Sequence, residues 1–437
     1  MRPLLLASLL CACATSPYDR AWVSRRVARV TGHATRDSAD RAGHARVPAG
    51  VSLDDGVTED EAVATALWNN AAFNADLTQL GFSRADLADA GLLPNPTLSL
   101  LFPLGPRQIE AWLAWPIEVL WQRPRRVDAA RLDVQRTAES LAQSGLDLAR
   151  DARLAHADAV LALARRALRA ENLRVVDALG ELTQARLRAG DVSEAEAAAF
   201  EVDRGAAQEQ STRADAEATV ALARLTLTLG LDAPRAAIVP VAGEVGAEPE
   251  ALDEIVRVAL AARPDVRAAE IAMEAAGARR GWERARVFGV VARVDAFGPP
   301  PGTDVGVTGR VGAQVTLPIF NQNQGGVSRA EAEFERATWR YAQVRQQVVA
   351  DVTTARAQLS AAVASLAPWR QRVLPAAEAA LRGATESYER GESAYVAVLD
   401  ASRRRVEARV REAELEAEAR RARAQLERSA GGRREDR

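Results

Sequence analysis

The chain has 437 residues, 48% of them hydrophobic and 27% charged, with 57 basic against 59 acidic side chains and a formal net charge of −2. That balance excludes a chain built to neutralise nucleic-acid phosphates, and that apolar content excludes bulk disorder. No run reaches the roughly eighteen uninterrupted apolar residues of a membrane-spanning helix, so any passage through a bilayer must use a closed β-barrel.

The N-terminus carries Arg2, the apolar stretch Leu4 to Leu10, and then Leu10-Cys11-Ala12-Cys13. This reads as a bacterial lipoprotein signal over residues 1–12, with Cys13 as the acylated lipid anchor; an ordinary cleaved leader is the alternative. Cys11 and Cys13 are the two cysteines, so a chain starting at Cys13 has no internal disulfide and no cysteine-rich metal site. Residues 13–50 lack a clear period and are expected to form an extended tether.

Residues 51–230 read as helix, β-hairpin, long helix, turn and returning helix. Thr58 with Glu61 predicts a capping box that opens a helix running to about Leu92, where Pro94-Asn95-Pro96 stops it. A hairpin follows over 97–119. Leu98, Leu100, Phe102 and Leu104 alternate with Thr97, Ser99 and Leu101, and Ile109, Ala111, Leu113, Trp115 and Ile117 alternate with Gln108, Glu110, Trp112 and Ala114. Gly105-Pro106-Arg107 is the turn between them. Between Pro124 and Pro234 there is no proline, and Leu132, Leu141, Leu148, Leu161, Leu168 and Val175 recur at helical spacing. A helix of about 65 residues would be about 100 Å long, a length suited to the wall of a tunnel rather than to a globular core. Gly190-Asp191 marks its turn, and the returning helix reaches about Leu229.

After a linker at 231–250, residues 251–428 repeat the plan. A helix is expected from Leu252 to Val287, then a hairpin over 288–319, a long helix from near Val327 kinked by Pro368 and Pro375, a turn at Gly391, and a last helix ending near Arg428. Residues 429–437 read as a disordered tail. The repeat, at a period of about 200 residues, rests on ordered matches. Ala66 to Phe73 matches Ala259 to Val266, Trp115-Pro116-Ile117 matches Leu317-Pro318-Ile319, and the turn Arg188-Ala189-Gly190-Asp191 matches Arg390-Gly391-Glu392-Ser393.

The second hairpin, turned by Gly298 to Gly302, alternates most strictly. Val305, Val307, Gly309, Val311, Ala313, Val315 and Leu317 fall on one face and Gly306, Thr308, Arg310, Gly312, Gln314 and Thr316 on the other. Phe288, Val290, Ala292, Val294 and Ala296 likewise alternate with Val291, Arg293 and Asp295. Strands of about 8 to 13 residues fit a tilted bilayer crossing. Val307, Val311, Val315 and Leu317 are expected to face lipid, and Arg293, Asp295, Arg310 and Gln314 a watery lumen. The alternative is an amphipathic sheet packed on a soluble core. Four strands cannot close a barrel, since the smallest single-chain bacterial barrels have about eight. Copies must complete it: eight strands for a dimer, twelve for a trimer.

These pieces together resemble the TolC-like outer membrane factor family over nearly the whole mature chain. The most telling stretches are Gly91-Leu92-Leu93-Pro94-Asn95-Pro96 and Leu317-Pro318-Ile319-Phe320-Asn321-Gln322-Asn323-Gln324-Gly325; the latter is similar to the heavy-metal efflux branch, the CzcC- and CusC-like proteins. The resemblance implies a mainly α fold with a small transmembrane β part: a homotrimer whose twelve-stranded β-barrel (four strands per chain) tops an α-barrel tunnel. It implies an outer-membrane location, a periplasmic adaptor, an inner-membrane resistance-nodulation-division pump as partners, and a passive exit duct for heavy-metal cations. It also implies that the helix-hairpin tips meet the adaptor and gate the pore. The matching positions are Gly190, Asp191, Val192 and Ser193, with Arg188 beside them, and Arg390, Gly391, Glu392 and Ser393, followed by Val398, Leu399 and Asp400. Asp191, Glu194, Glu392 and Asp400 would either ring the pore as a cation-attracting set or cap the returning helices. Arg186, Arg188, Arg390 and Arg403 are expected to hold the closed state by salt bridges.

Catalytic and cofactor chemistry is not suggested. The three histidines are His33 and His44 near the N-terminus and His156, which reads as a packed or solvated helix residue. With two methionines and one mature cysteine, no metal site is evident, and no phosphate loop or acid–base pair stands out. The other readings are the same duct serving drug efflux or type I secretion, and a periplasmic adaptor, which would carry one hairpin within a β-rich module.

Overall fold

The computed structural model describes residues 14–36, 45–53, 55–102, 110–231, 240–241, 250–298, 306–390 and 392–432. The leader with Cys13, His44, the hairpin turns at 105–107 and 299–302, most of the 231–250 linker, Gly391 and residues 433–437 lie outside the described residues. The chain divides into two compact units, Met1–Val23, Asp76–Leu141 and Pro264–Gln346, and Ser24–Ala75, Ala142–Arg263 and Gln347–Arg437.

The described elements, in chain order, are α1 (Arg20–Thr31), α2 (Glu59–Asn69), α3 (Ala71–Asp76), α4 (Gln79–Gly91), β1 (Thr97–Leu101), β2 (Glu110–Pro116), α5 (Val119–Ala189) and α6 (Glu194–Leu229), then α7 (Leu252–Ala262), α8 (Pro264–Ala285), β3 (Gly289–Phe297), β4 (Thr308–Thr316), α9 (Gln324–Pro368), α10 (Leu374–Glu389) and α11 (Tyr395–Ala430). Helix α5 has 71 residues, so it is about 105 Å long at 1.5 Å per residue. Between α9 and α10 the backbone widens into a π-helical turn, Trp369–Val373, flanked by Pro368 and Pro375; a proline cannot donate into the ladder, and the extra residue absorbs the missing bonds.

Four expectations are corrected. Ser429 and Ala430, expected in a disordered tail, are the buried last residues of α11. The tether is not wholly extended, because Arg20–Thr31 is helical and buries Val23, Val27 and Val30. Their spacing of three and four residues is too short a run to stand out by itself. Val27 sits where a Cβ on Gly145 of α5 would come within 2.8 Å of its Cγ2, so that glycine lets the two helices approach. The helix expected from Thr58 to Leu92 is broken into α2, α3 and α4, and the one from Leu252 to Val287 into α7 and α8.

The breaks fall at repeat-equivalent positions. Asn70 and Arg263 both leave helical geometry (φ −57°, ψ 118° and φ −65°, ψ 129°) while still donating to Ala66 O and Ala259 O. In each repeat the returning helix ends against its own break. Helix α6 ends at Gly230 (φ 67°) and α11 at Gly431 (φ 85°), both left-handed. A Cβ on Gly230 would meet Asn69 C at 2.5 Å, and one on Gly431 would meet Arg263 N at 3.2 Å. Asn70 Nδ2 donates to Thr228 O (3.1 Å) and Arg263 Nη1 to Ser429 O (3.4 Å), each the carbonyl two residues before that glycine. Arg263 is fully buried and stays charged by pairing with Asp351 (3.1 Å), which Arg428 also reaches (3.0 Å).

The Thr58 capping box is present: Thr58 Oγ1 accepts from Glu61 N, and the Glu61 carboxylate accepts from Thr58 N. Val57, just before it, accepts at its carbonyl from Val241 N (2.9 Å) and from His156 Nε2 (2.9 Å). His156 is therefore a packed residue, 1% exposed, with Nε2 protonated because a carbonyl can only accept.

Candidate functional site: a one-sided sheet and two hairpin tips

The four strands form one antiparallel sheet in the order β1-β2-β3-β4, so β2 and β3, which come from different repeats, are neighbours. Cross-strand register decides which side chains share a face. Leu98 pairs with Leu113, Leu113 with Val294, and Val294 with Val311. Stepping by two from that row collects Leu100, Ala111, Trp115, Val290, Ala292, Ala296, Gly309, Ala313 and Val315. Every residue of this face is apolar. Val311 is 86% exposed, and Val307, Val315 and Leu317 are exposed too. In water such a face would be left uncovered at great cost.

The opposite face is mixed and carries all the polar strand residues: Thr97, Ser99, Glu110, Arg293, Asp295, Thr308, Arg310, Gln314 and Thr316 stand there among Leu101, Trp112, Ala114, Val291 and Phe297. Arg293 and Asp295 form an ion pair along β3, and Asp295 stands across from Arg310. Arg293 lies over the Trp112 ring (5.1 Å) and Arg310 over the Phe297 ring (5.0 Å), so the aromatics on this side are held by cations. Arg293, Asp295, Arg310 and Gln314 thus share one face, opposite to Val311 and Val315. Strands β1 and β4 each have one edge without a strand partner among the described residues.

At the first hairpin tip, Gly190 (φ 80°) turns the chain and Asp191 N donates to Arg186 O (2.9 Å). At the second, Glu392 N donates to Ser387 O (2.8 Å), the same five-residue closure. Ser193 and its partner Glu196 make a capping box for α6, whereas Ala394 caps α11 without a side-chain bond. The carboxylates Asp191, Glu194, Glu392 and Asp400 cap neither returning helix and are exposed. Asp400 pairs with Arg404 on its own helix (2.8 Å) and Glu392 with Arg390 (3.1 Å). Val398 and Leu399 are buried, with Leu399 packed against Val176, Phe200 and Ala207, so neither lines a surface of the chain.

The expected arginine salt bridges divide. Arg403 reaches Asp203 of the other hairpin (3.5 Å), and Arg390 pairs within its own turn. Among the described residues Arg188 meets no carboxylate and donates to Gln184 O, and Arg186 lies over the Tyr388 ring at 4.7 Å. The two hairpins are instead joined by aromatics that the sequence reading missed: Phe200 lies 5.8 Å from Tyr395, which lies 6.2 Å from Tyr388. Burial, with Asp203 and Tyr388 adding to it, raises the Tyr395 phenol well above its ordinary value, so it stays neutral. A signal was available, because two of the four tyrosines flank this one turn.

Residues 255–432 match the family described as outer membrane efflux protein. The chain is similar to the cobalt-zinc-cadmium resistance protein CzcC of Cupriavidus metallidurans, with 26% identity over 360 residues covering 81% of this chain and 85% of that protein. In fold it is similar to the transmembrane channel CusC (TM-score 0.70, 19% identity, 90% of this chain and 96% of that one). It is also similar to the open state of the Neisseria gonorrhoeae MtrE outer membrane channel (TM-score 0.69, 17% identity, 90% and 97%).

Proposed function

We propose that this chain is the outer-membrane channel subunit of a tripartite resistance-nodulation-division efflux system, a passive exit duct for heavy-metal cations. The observation that carries it is the sheet: one wholly apolar face, one face that holds all the charged strand residues, and, among the described residues, an edge without a strand partner on each side. Pairing β4 of one copy with β1 of the next satisfies the edge groups that lipid cannot, and three copies of four strands give a twelve-stranded barrel. Val307, Val311, Val315 and Leu317 then meet lipid, and Arg293, Asp295, Arg310 and Gln314 line the lumen. The likeness to a cobalt-zinc-cadmium resistance protein favours metal ions over drugs or a secreted protein as cargo. The chain's parts are read as a leader over 1–12, an N-terminal segment over 13–50 anchored by lipid at Cys13, repeats over 51–230 and from 251 to the end of α11 joined by a linker, and a tail after 432.

The tips at Gly190 to Ser193 and Arg390 to Ser393, with Arg188 and Asp400, are the adaptor contact and gate. Asp191, Glu194, Glu392 and Asp400 ring the mouth once three copies assemble. The Arg403–Asp203 pair supports a closed state in which the hairpins are tied together.

Deleting the gene should sensitise cells to cobalt, zinc or cadmium; sensitivity to drugs alone would move the assignment to drug efflux. Membrane fractionation should give a heat-sensitive oligomer in the outer membrane, whereas release as a monomer would favour an adaptor. Replacing Arg403 by alanine should raise conductance in planar bilayers, and unchanged conductance would remove the Arg403–Asp203 gate.

A further inference from the structure

One end of the sheet carries a second kind of surface. The residues at that end are fixed by register: Pro116 pairs with Val291, and Gly289 with Thr316. Large apolar side chains just past these ends are exposed: Leu92, Trp121, Phe288 and Phe320, the last at 92%. Phe288 continues the apolar phase of β3, and the other three lie within five residues of a strand end, where aromatic side chains of a barrel mark the boundary between acyl chains and headgroups.

Cations stand beside them. Arg125 follows Trp121 by four residues on α5, which puts the two on one helix face with the arginine about one turn farther along. Arg125 is exposed and meets no carboxylate among the described residues. Arg126 donates from Nε to Ala90 O (2.9 Å) and from Nη2 to Leu92 O (2.8 Å), bonds that leave its charge uncompensated by an acid. The nearby Glu118 carboxylate accepts from Val290 N (3.1 Å). Arg284 and Arg286, at the foot of β3, are each neutralised, by Glu331 and Glu283. Arg125 and Arg126 differ from these neighbours in bringing to the apolar rim positive charge with no acid partner among the described residues.

We propose that this rim is a docking surface for anionic phospholipid, with Leu92, Trp121, Phe288 and Phe320 at the acyl–headgroup boundary and Arg125 and Arg126 on the lipid phosphate. The proposal rests on the channel reading above. Guanidinium suits a phosphate because its donors form a planar fork. Arg126 also ties the Ala90–Leu92 segment to the foot of α5, so a lipid held there would brace the junction between strand and helix.

The test uses the full-length chain reconstituted in vesicles of phosphatidylcholine, with or without phosphatidylglycerol, then extracted in detergent and weighed intact by native mass spectrometry. Phosphatidylglycerol should be retained in preference to phosphatidylcholine. Arg125→Gln should lower that retention about fivefold, the factor equivalent to roughly 1 kcal/mol per basic residue at an anionic surface; Arg125→Lys should restore most of it. Arg125 makes no described contact, so its variants are expected to fold. Equal retention of the two lipids, or equal retention by wild type and Arg125→Gln, would overturn the proposal. Conductance of the same wild-type vesicles reads the channel separately. A conducting protein with equal retention loses the headgroup site alone, and one that never enters vesicles loses both readings.

Discussion

Replacing Val311 by arginine tests the sheet directly. Val311 lies near the centre of β4, pairs with Val294, and exposes 86% of its surface from the apolar face. If that face met water, an arginine would cost almost nothing, within about 0.5 kcal/mol for an exposed surface site. Against lipid near the bilayer midplane, arginine costs about 2–4 kcal/mol. That is about a thirty- to thousand-fold change in the folded ratio per chain, and a closed trimer bears it three times. Gln314→Arg is the control, since Gln314 lies on the opposite face beside β3 residue Val291; it should cost less than about 0.5 kcal/mol. Denaturant titrations in phospholipid vesicles measure both. If Val311→Arg costs no more than Gln314→Arg, the apolar face does not meet lipid and the barrel argument fails.

Gly145→Ala should lower the melting temperature. A helix-interior glycine usually gains about 1 kcal/mol on becoming alanine, but here the new Cβ would sit 2.8 Å from the stiff Val27 side chain, and overpacking costs about 1–3 kcal/mol. Gly205→Ala, with nothing within 4 Å, should instead stabilise; a rise in both melting temperatures would refute the contact. Gly230→Ala should destabilise by more than the roughly 1–2 kcal/mol of a left-handed alanine, because its Cβ would lie 2.5 Å from Asn69 backbone atoms. Thermal melts that leave the variant within error of wild type would contradict that closure. Burial lowers the His156 pKa below 6.5, outweighing the Val57 carbonyl that favours the charged ring, with Arg420 opposing charge as well. A histidine depressed on folding contributes stability above its unfolded pKa and loses it as pH falls, so unfolding free energy should drop as pH is lowered through about 6.5 and below. His156→Gln should flatten that drop, and an unchanged pH slope would exclude His156 as its source.

Much of the fold was legible in the chain itself. Alternation gave each strand two faces, because side chains on a pleated backbone point alternately up and down whatever lies next to them. Gly190 and the Thr58–Glu61 pair gave a turn and a cap, since those depend on a few neighbouring residues. The tip residues were placed correctly near the turns, yet their partners were not: Arg186 stacks on Tyr388 rather than pairing with an acid, and Phe200 and Tyr395 join the hairpins. Such contacts link residues about 200 positions apart, and local spacing carries no information about them.

Local pattern also misjudged continuity. Asn70 and Arg263 interrupt what reads as continuous helix, and the reason lies at Gly230 and Gly431, where a returning helix packs its end into each break. The residues alone determined that four amphipathic strands and long helices exist, that they come in two similar sets, and that the strands are too few to close on themselves. The tertiary structure decided that β2 neighbours β3 and that every apolar phase falls on one side. A strand's own sequence sets which residues share its face, whereas only hydrogen-bonded register sets which face of its neighbour that face continues.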